Sequence, residues 1–97
     1  MTGYVLSPAA KADINEIWDY TTSRWGEDQA ERYVLAIRDA CAELAQGTRQ
    51  SSPVDDIRVG YHKALVGSHI LLFRRAQSGE LDIVRILHQR MDFIRHL

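Results

Sequence analysis

The hydrophobic pattern of this chain changes period once, and that change limits the folds open to it. Between Pro8 and Gln46 apolar residues recur three and four apart, whereas from Ile57 to Leu65 they recur every second residue. The first spacing lays a stripe along a helix and the second puts one face on a strand. A chain that is helical first and extended afterwards reads as α+β, with helices packed on a sheet.

Tyr4-Val5-Leu6 reads as a brief strand within residues 1–6. Ser7 is a good N-cap and Pro8 suits the first helical position, where a missing N–H costs nothing. Ala10, Ile14, Ile17, Trp18, Thr21 and Trp25 then form one apolar stripe, with Lys11, Asp13, Glu16 and Asp19 pointing elsewhere. Gly26 stops that helix. Glu27 and Asp28 put negative charge at a second helix start, where the macrodipole favours it. Its stripe is Ala30, Tyr33, Val34, Ile37, Cys41 and Leu44, and Gly47 ends it. So short a connection predicts an antiparallel helical hairpin over residues 8–46. Residues 48–56, with Pro53, read as a loop. Ile57, Val59, Tyr61, Lys63 and Leu65 then share one strand face, opposite Arg58, Gly60, His62 and Ala64. Turn signals at Gly67-Ser68 and Gln77 to Glu80 set off two more strands, 69–75 and 81–88, both apolar on two faces.

The expected architecture is one domain over residues 1–97. A helical hairpin packs on a small antiparallel sheet of three to four strands, a meander over 57–88 with a tail over 89–97. Two helices cover one face only. Part of the second face is therefore expected to be open to a partner, unless Met91, Phe93 and Ile94 of the tail cover it.

Composition narrows the function classes. With 97 residues, 45% apolar and 26% charged, the chain suits one small folded domain. A single cysteine, Cys41, excludes an internal disulfide, and its place between Ile37 and Leu44 marks a core thiol rather than a nucleophile. The N-terminus lacks a basic leader and no run is long enough to span a membrane, so a soluble cytoplasmic protein is expected. Residues 1–56 carry ten acids and five bases, net −5, and residues 57–97 carry three acids and seven bases, net +4. Either the basic half meets something acidic or the halves complement each other. A pI near 6.4 is not that of a dedicated nucleic-acid binder, and no direct sequence-specific DNA binding is expected.

No phosphate loop, paired-cysteine motif, zinc-protease helix or nucleophile elbow is present, and no metal or cofactor is indicated. One set of side chains could bear chemistry: His69, Arg74, Arg75, Arg85, His88 and Arg90. RNA cleavage by 2′-hydroxyl attack needs a base, an acid and cations for the developing charge. Arg74 and Arg75 must point to opposite faces, as must Arg85 and His88. No carboxylate lies close in sequence to serve as a partner. His88 has the parity of Val84 and Ile86 and reads as a hydrogen-bonded, partly buried histidine. Trp18, Trp25, Tyr33 and Tyr61 read as core, and Tyr20 falls off the main stripe toward solvent.

These residues carry a resemblance. Leu6-Ser7-Pro8-Ala9-Ala10 with Asp13-Ile14, Trp25-Gly26 with Gln29-Ala30, Ile57-Arg58, Gly60-Tyr61, Gly67-Ser68-His69 and the closing run Arg85 to Asp92 resemble the ParE toxins of the RelE/ParE superfamily. The resemblance covers nearly the whole chain in order. It implies a helical hairpin on a small antiparallel sheet and a toxin that poisons DNA gyrase without catalysis. It also implies neutralisation by a ParD-like antitoxin, whose ribbon-helix-helix dimer binds operator DNA and whose C-terminal segment wraps the toxin in a hetero-oligomer that can hold two toxins. The RelE branch instead cuts mRNA on the ribosome, and His88 loosely matches a histidine used there. This chain departs from that branch in its modest basicity and in Gln89, which stands where an aromatic would. His62 stands where many ParE chains have arginine.

Three readings are open: a gyrase-binding toxin, an endoribonuclease using His88, Arg74, Arg75 and Arg90, or a module that only holds its antitoxin. For the first, the expected target-facing residues are Arg85, His88, Gln89, Arg90, Met91 and Arg95. The expected antitoxin contacts lie on the first helix and the sheet: Trp18, Tyr20, Leu72 and Arg74.

Overall fold

The computed structural model describes residues 3–55 and 58–90. In chain order these form β1 (Tyr4–Leu6), α1 (Pro8–Trp25), α2 (Glu27–Gln46), β2 (Ser52–Pro53), β3 (Tyr61–Val66), β4 (His69–Arg75) and β5 (Leu81–His88). The helix signals act as expected. The Ser7 hydroxyl accepts the Ala10 N–H at 3.0 Å and donates to Val84 C=O at 2.7 Å, so one side chain caps α1 and ties it to β5. Gly26, at φ 91°, turns the chain between the helices in a conformation that L side chains rarely adopt.

The strands make one five-stranded sheet in the order β1-β5-β4-β3-β2. β2 through β5 are antiparallel neighbours, and β1 pairs parallel with β5, Leu6 opposite Ile83. The sheet is thus mixed and larger than the three to four antiparallel strands expected. A three-residue run such as Tyr4–Leu6 marks a strand but carries no signal for its direction. The connection between these parallel neighbours is long, running through the helical hairpin and the other three strands. Ala10 and Ile17 of α1 and Ile37, Ala40, Cys41 and Leu44 of α2 close over Ala64, Leu71, Phe73, Leu81, Ile83 and Ile86 of the sheet. Removing each large aliphatic side chain from water contributes about 1.5–3 kcal/mol. Burial pushes the Cys41 thiol up to about 11, as befits an inert core group.

Three expectations need correction. First, β3 begins at Tyr61, and residues 58–60 form turns rather than strand. The face toward the helices carries Ala64 and Val66, while Val59 is 83% and Leu65 60% exposed. Ala64 stands opposite Leu71, whose side chain lies in the main core, and this register decides the parity. Tyr61 is accordingly half-buried rather than core, and Ile57 lies outside the described residues. Second, Trp25 is 70% exposed at the last residue of α1, and Trp18 is 37% exposed on the flank of the stripe.

Third, Asp13 is buried rather than turned outward. On the second sheet face Ile70, Leu72 and Leu87 cluster and are buried, whereas Leu65, opposite Ile70 on that face, is exposed, so the face is open only in part. The double-sided apolarity of β5 has a further cause. Leu72 stands opposite Arg85 but Phe73 opposite Ile83, leaving Val84 as an extra residue. This bulge moves the core-facing positions from Leu81 and Ile83 to Ile86.

Candidate functional site

The bulge and the crossover together create the most distinctive site. β1 covers the outer edge of β5 only as far as Ile83. Beyond it α1 takes over, and the Asp13 carboxylate replaces a neighbouring strand. It accepts the Ile86 N–H at 2.9 Å and holds Arg85 in a fork, Nε at 2.8 Å and Nη2 at 2.8 Å. Bidentate geometry is the strong form of this pair. The hydrogen bond to Asp13 raises Arg85 above its ordinary range despite partial burial. The sequence held one signal for this: Asp13, Ile17 and Thr21 recur four apart, so a carboxylate sits on the buried line of α1.

A second cluster lies where β4 begins and β5 ends. His69 faces His88 across the ladder, ring centroids 5.4 Å apart. Tyr33 of α2 reaches over, its hydroxyl 2.6 Å from His69 Nδ1, and accepts the Ser68 N–H at 2.9 Å. His88 Nδ1 accepts the Arg90 N–H at 3.1 Å. Burial first, and then the neighbouring His88, lower His69 below the usual histidine range, with Asp13 opposing. Burial raises Tyr33, tempered by its bond to Ser68. Grooves of about 540 and 530 Å³ flank the pair, and both are lined by Tyr20, Thr21, His69 and His88.

This arrangement sets a pH dependence. The folded state holds His69 neutral, so its folded pKa lies below the 6.5 of the free side chain. Above 6.5 neither state is protonated and His69 costs nothing. As pH falls below that value the unfolded chain binds the proton first, and stability declines until the folded value is passed. Urea midpoints at about pH 7.5 and about pH 5.5 should show this loss, and His69→Gln should reduce it. Equal slopes in both proteins would place the acid sensitivity elsewhere.

The structure gathers some expected site residues and scatters others. Tyr20 is 59% exposed on the groove wall, with Arg24 stacked over its ring at 5.3 Å. His88, half-buried, lines the same groove. Gln89 and Arg90 are exposed in the turn just beyond it. Arg85 is engaged by Asp13 rather than directed outward, and the carboxylate that looked absent comes from 72 residues away. Leu72 is wholly buried and offers a partner no surface in this conformation. Arg74 is exposed on the sheet face away from the helices and pairs with Asp82 at 3.4 Å. Arg75 bonds Gly79 C=O at 2.9 Å at the far end of β4. It lies six residues from His69, a strand length of about 20 Å. Met91 and Arg95 lie outside the described residues. Among the described residues no group of three His, Cys, Asp or Glu side chains could hold a metal ion, and no helix is long and apolar enough to cross a membrane.

Comparison with known proteins adds a consistent picture. Residues 4–93 match the model of a family described as the ParE toxin of the type II toxin–antitoxin system parDE. The chain is 49% identical over 94 residues to toxin ParE1 of Mycobacterium tuberculosis, covering 97% of this chain and 96% of that one. It is 35% identical to toxin ParE1 of Caulobacter vibrioides, covering 100% and 99%. It is 33% identical to toxin ParE of Escherichia coli, covering 100% and 94%. Among solved structures, a chain of the chromosomal ParDE system of P. aeruginosa has the same fold, with a TM-score of 0.75 at 21% identity, covering 91% of this chain and 96% of that one.

Proposed function

The chain belongs to the ParE toxin family of type II toxin–antitoxin systems, and from that premise we propose that it is a cytoplasmic toxin that inhibits DNA gyrase by binding. A ParD-like ribbon-helix-helix antitoxin neutralises it in a hetero-oligomer. The target-facing surface is the end of β5 and the segment beyond it: His88, Gln89, Arg90, Met91 and Arg95. The antitoxin contacts Trp18 and Tyr20 on α1 and Arg74 on the sheet.

One observation carries the choice of binding over RNA cleavage. Of the four candidate nuclease residues only His88 and Arg90 are neighbours: Arg74 and His88 lie on different sheet faces, and Arg75 lies a strand length from His88. General acid–base chemistry needs its groups within hydrogen-bond reach of one substrate.

The test places purified toxin in a gyrase supercoiling assay and a ribosome-bound mRNA cleavage assay side by side. Gyrase inhibition without cleavage is expected. Arg90→Ala should weaken inhibition about tenfold, the effect of losing a contact worth about 1.4 kcal/mol. If Arg90→Ala and removal of residues 89–97 both leave inhibition intact in folded protein, the target surface lies elsewhere. Cleavage abolished by His88→Ala would make the chain a nuclease instead.

A further inference from the structure

The hydrogen-bond pattern of β5 leaves a short length of strand without a neighbour among the described residues. His88 stands opposite His69, and the Gln89 N–H donates to Ser68 C=O at 2.9 Å. In an antiparallel ladder that pattern makes His69 and His88 a non-hydrogen-bonded pair. The backbone N–H and C=O of His88, and those of Ile86 two residues back, therefore point away from β4. Ile86 demonstrates this directly, since its N–H ends on Asp13. On this side β1 stops at Ile83, and Ser7 takes Val84 C=O. Ile86 C=O, His88 N–H and His88 C=O remain, and no described residue bonds them. They face the groove whose other wall is Ile17, Tyr20 and Thr21 of α1.

We infer that this edge is a strand-addition site, taking an extended peptide that pairs with Ile86 and His88 between β5 and α1. Two observations select that occupant. The edge offers one donor and two acceptors at strand spacing. An extended chain can match them, while a helix has already used its own backbone groups internally. The groove also carries charge, with Glu16 and the Asp13–Arg85 pair in its lining and Arg24 lying over the ring of Tyr20 on its wall. A peptide with apolar side chains toward Ile17 and an acidic one toward Arg24 fits it. Asp13 blocks extension toward Val84, so the added strand is short. That the natural peptide belongs to the antitoxin rests on the function proposed above.

The test uses the full chain, labelled with nitrogen-15, and a ParD-like antitoxin that neutralises it. Binding of the antitoxin should slow exchange of the His88 amide about tenfold or more, the size expected from one new hydrogen bond. Synthetic peptides tiling the C-terminal half of the antitoxin should then locate the segment. Methylating its backbone nitrogens one at a time should weaken binding about tenfold at alternate positions and little between them. Antitoxin that binds and restores gyrase activity while the His88 amide exchanges as before would overturn the strand-addition site and leave the proposed function standing. A methylation scan without alternation would overturn it equally. Failure of every ParD-like antitoxin to bind would remove both.

Discussion

Replacing Asp13 with alanine is expected to lower the unfolding free energy by about 3 kcal/mol, the low end of the range for stripping one partner from a buried ion pair. The low end applies because the Arg85 side chain retains 24% exposure and can recover some hydration. Two losses combine. The guanidinium keeps its charge but loses the carboxylate that holds it in the fork, and the Ile86 N–H loses its acceptor at a position that β1 does not reach. Asp13→Asn should cost less, since an amide oxygen can still accept from Ile86. Asp13→Ala combined with Arg85→Met should recover part of the loss, because an apolar pair of similar volume avoids the stranded charge. For a domain of this size, with about 5–15 kcal/mol in total, the single change is severe. Adding the antitoxin should raise the melting temperature of the variant by mass action, provided that the bound fold is unchanged. Urea unfolding of the three variants measures all of this. An Asp13→Ala protein within about 0.5 kcal/mol of the parent would show the fork to be a surface contact in effect.

Asp13 also marks the limit of what the sequence discloses. The helices were legible because their signals are local: an N-cap, a proline at the first turn, glycines at both ends and one apolar stripe each. The antiparallel order of β3, β4 and β5 was legible for the same reason, since short turns force it. What escaped depends on distant partners. A charged residue on a helix is normally solvated, and only Arg85 and the bulge at Val84 make Asp13 a buried one. The bulge shifts parity along β5 without any mark in composition, so alternation there reads as two-sided burial. In β3 the period was right but the phase was not, because Ala64 is too small to outvote Tyr61 and Leu65 in a hydrophobic count. His88 is the partly buried, hydrogen-bonded histidine that its parity suggested. Its companions His69 and Tyr33 come together only through the turn at Gly67 and Ser68.

That turn carries the second large expected effect: Gly67→Ala should cost about 2–3 kcal/mol and disturb the histidine pair. Gly67 sits at φ +56°, where a side chain costs about 1 kcal/mol. An added Cβ would also lie 2.6 Å from Tyr33 Cε1 and 2.7 Å from its hydroxyl oxygen. The ring must move, and with it go the bonds to His69 Nδ1 and the Ser68 N–H, each worth about 1 kcal/mol. His69 then loses cover, and burial is the main cause of its lowering, so its titration should move back up toward 6.5. The two contributions can be separated in a Tyr33→Ala background, where the ring is gone. There Gly67→Ala should retain only the backbone cost of about 1 kcal/mol. An equal penalty in both backgrounds would mean that backbone strain alone accounts for the glycine, and that Tyr33 does not depend on it for its place over His69.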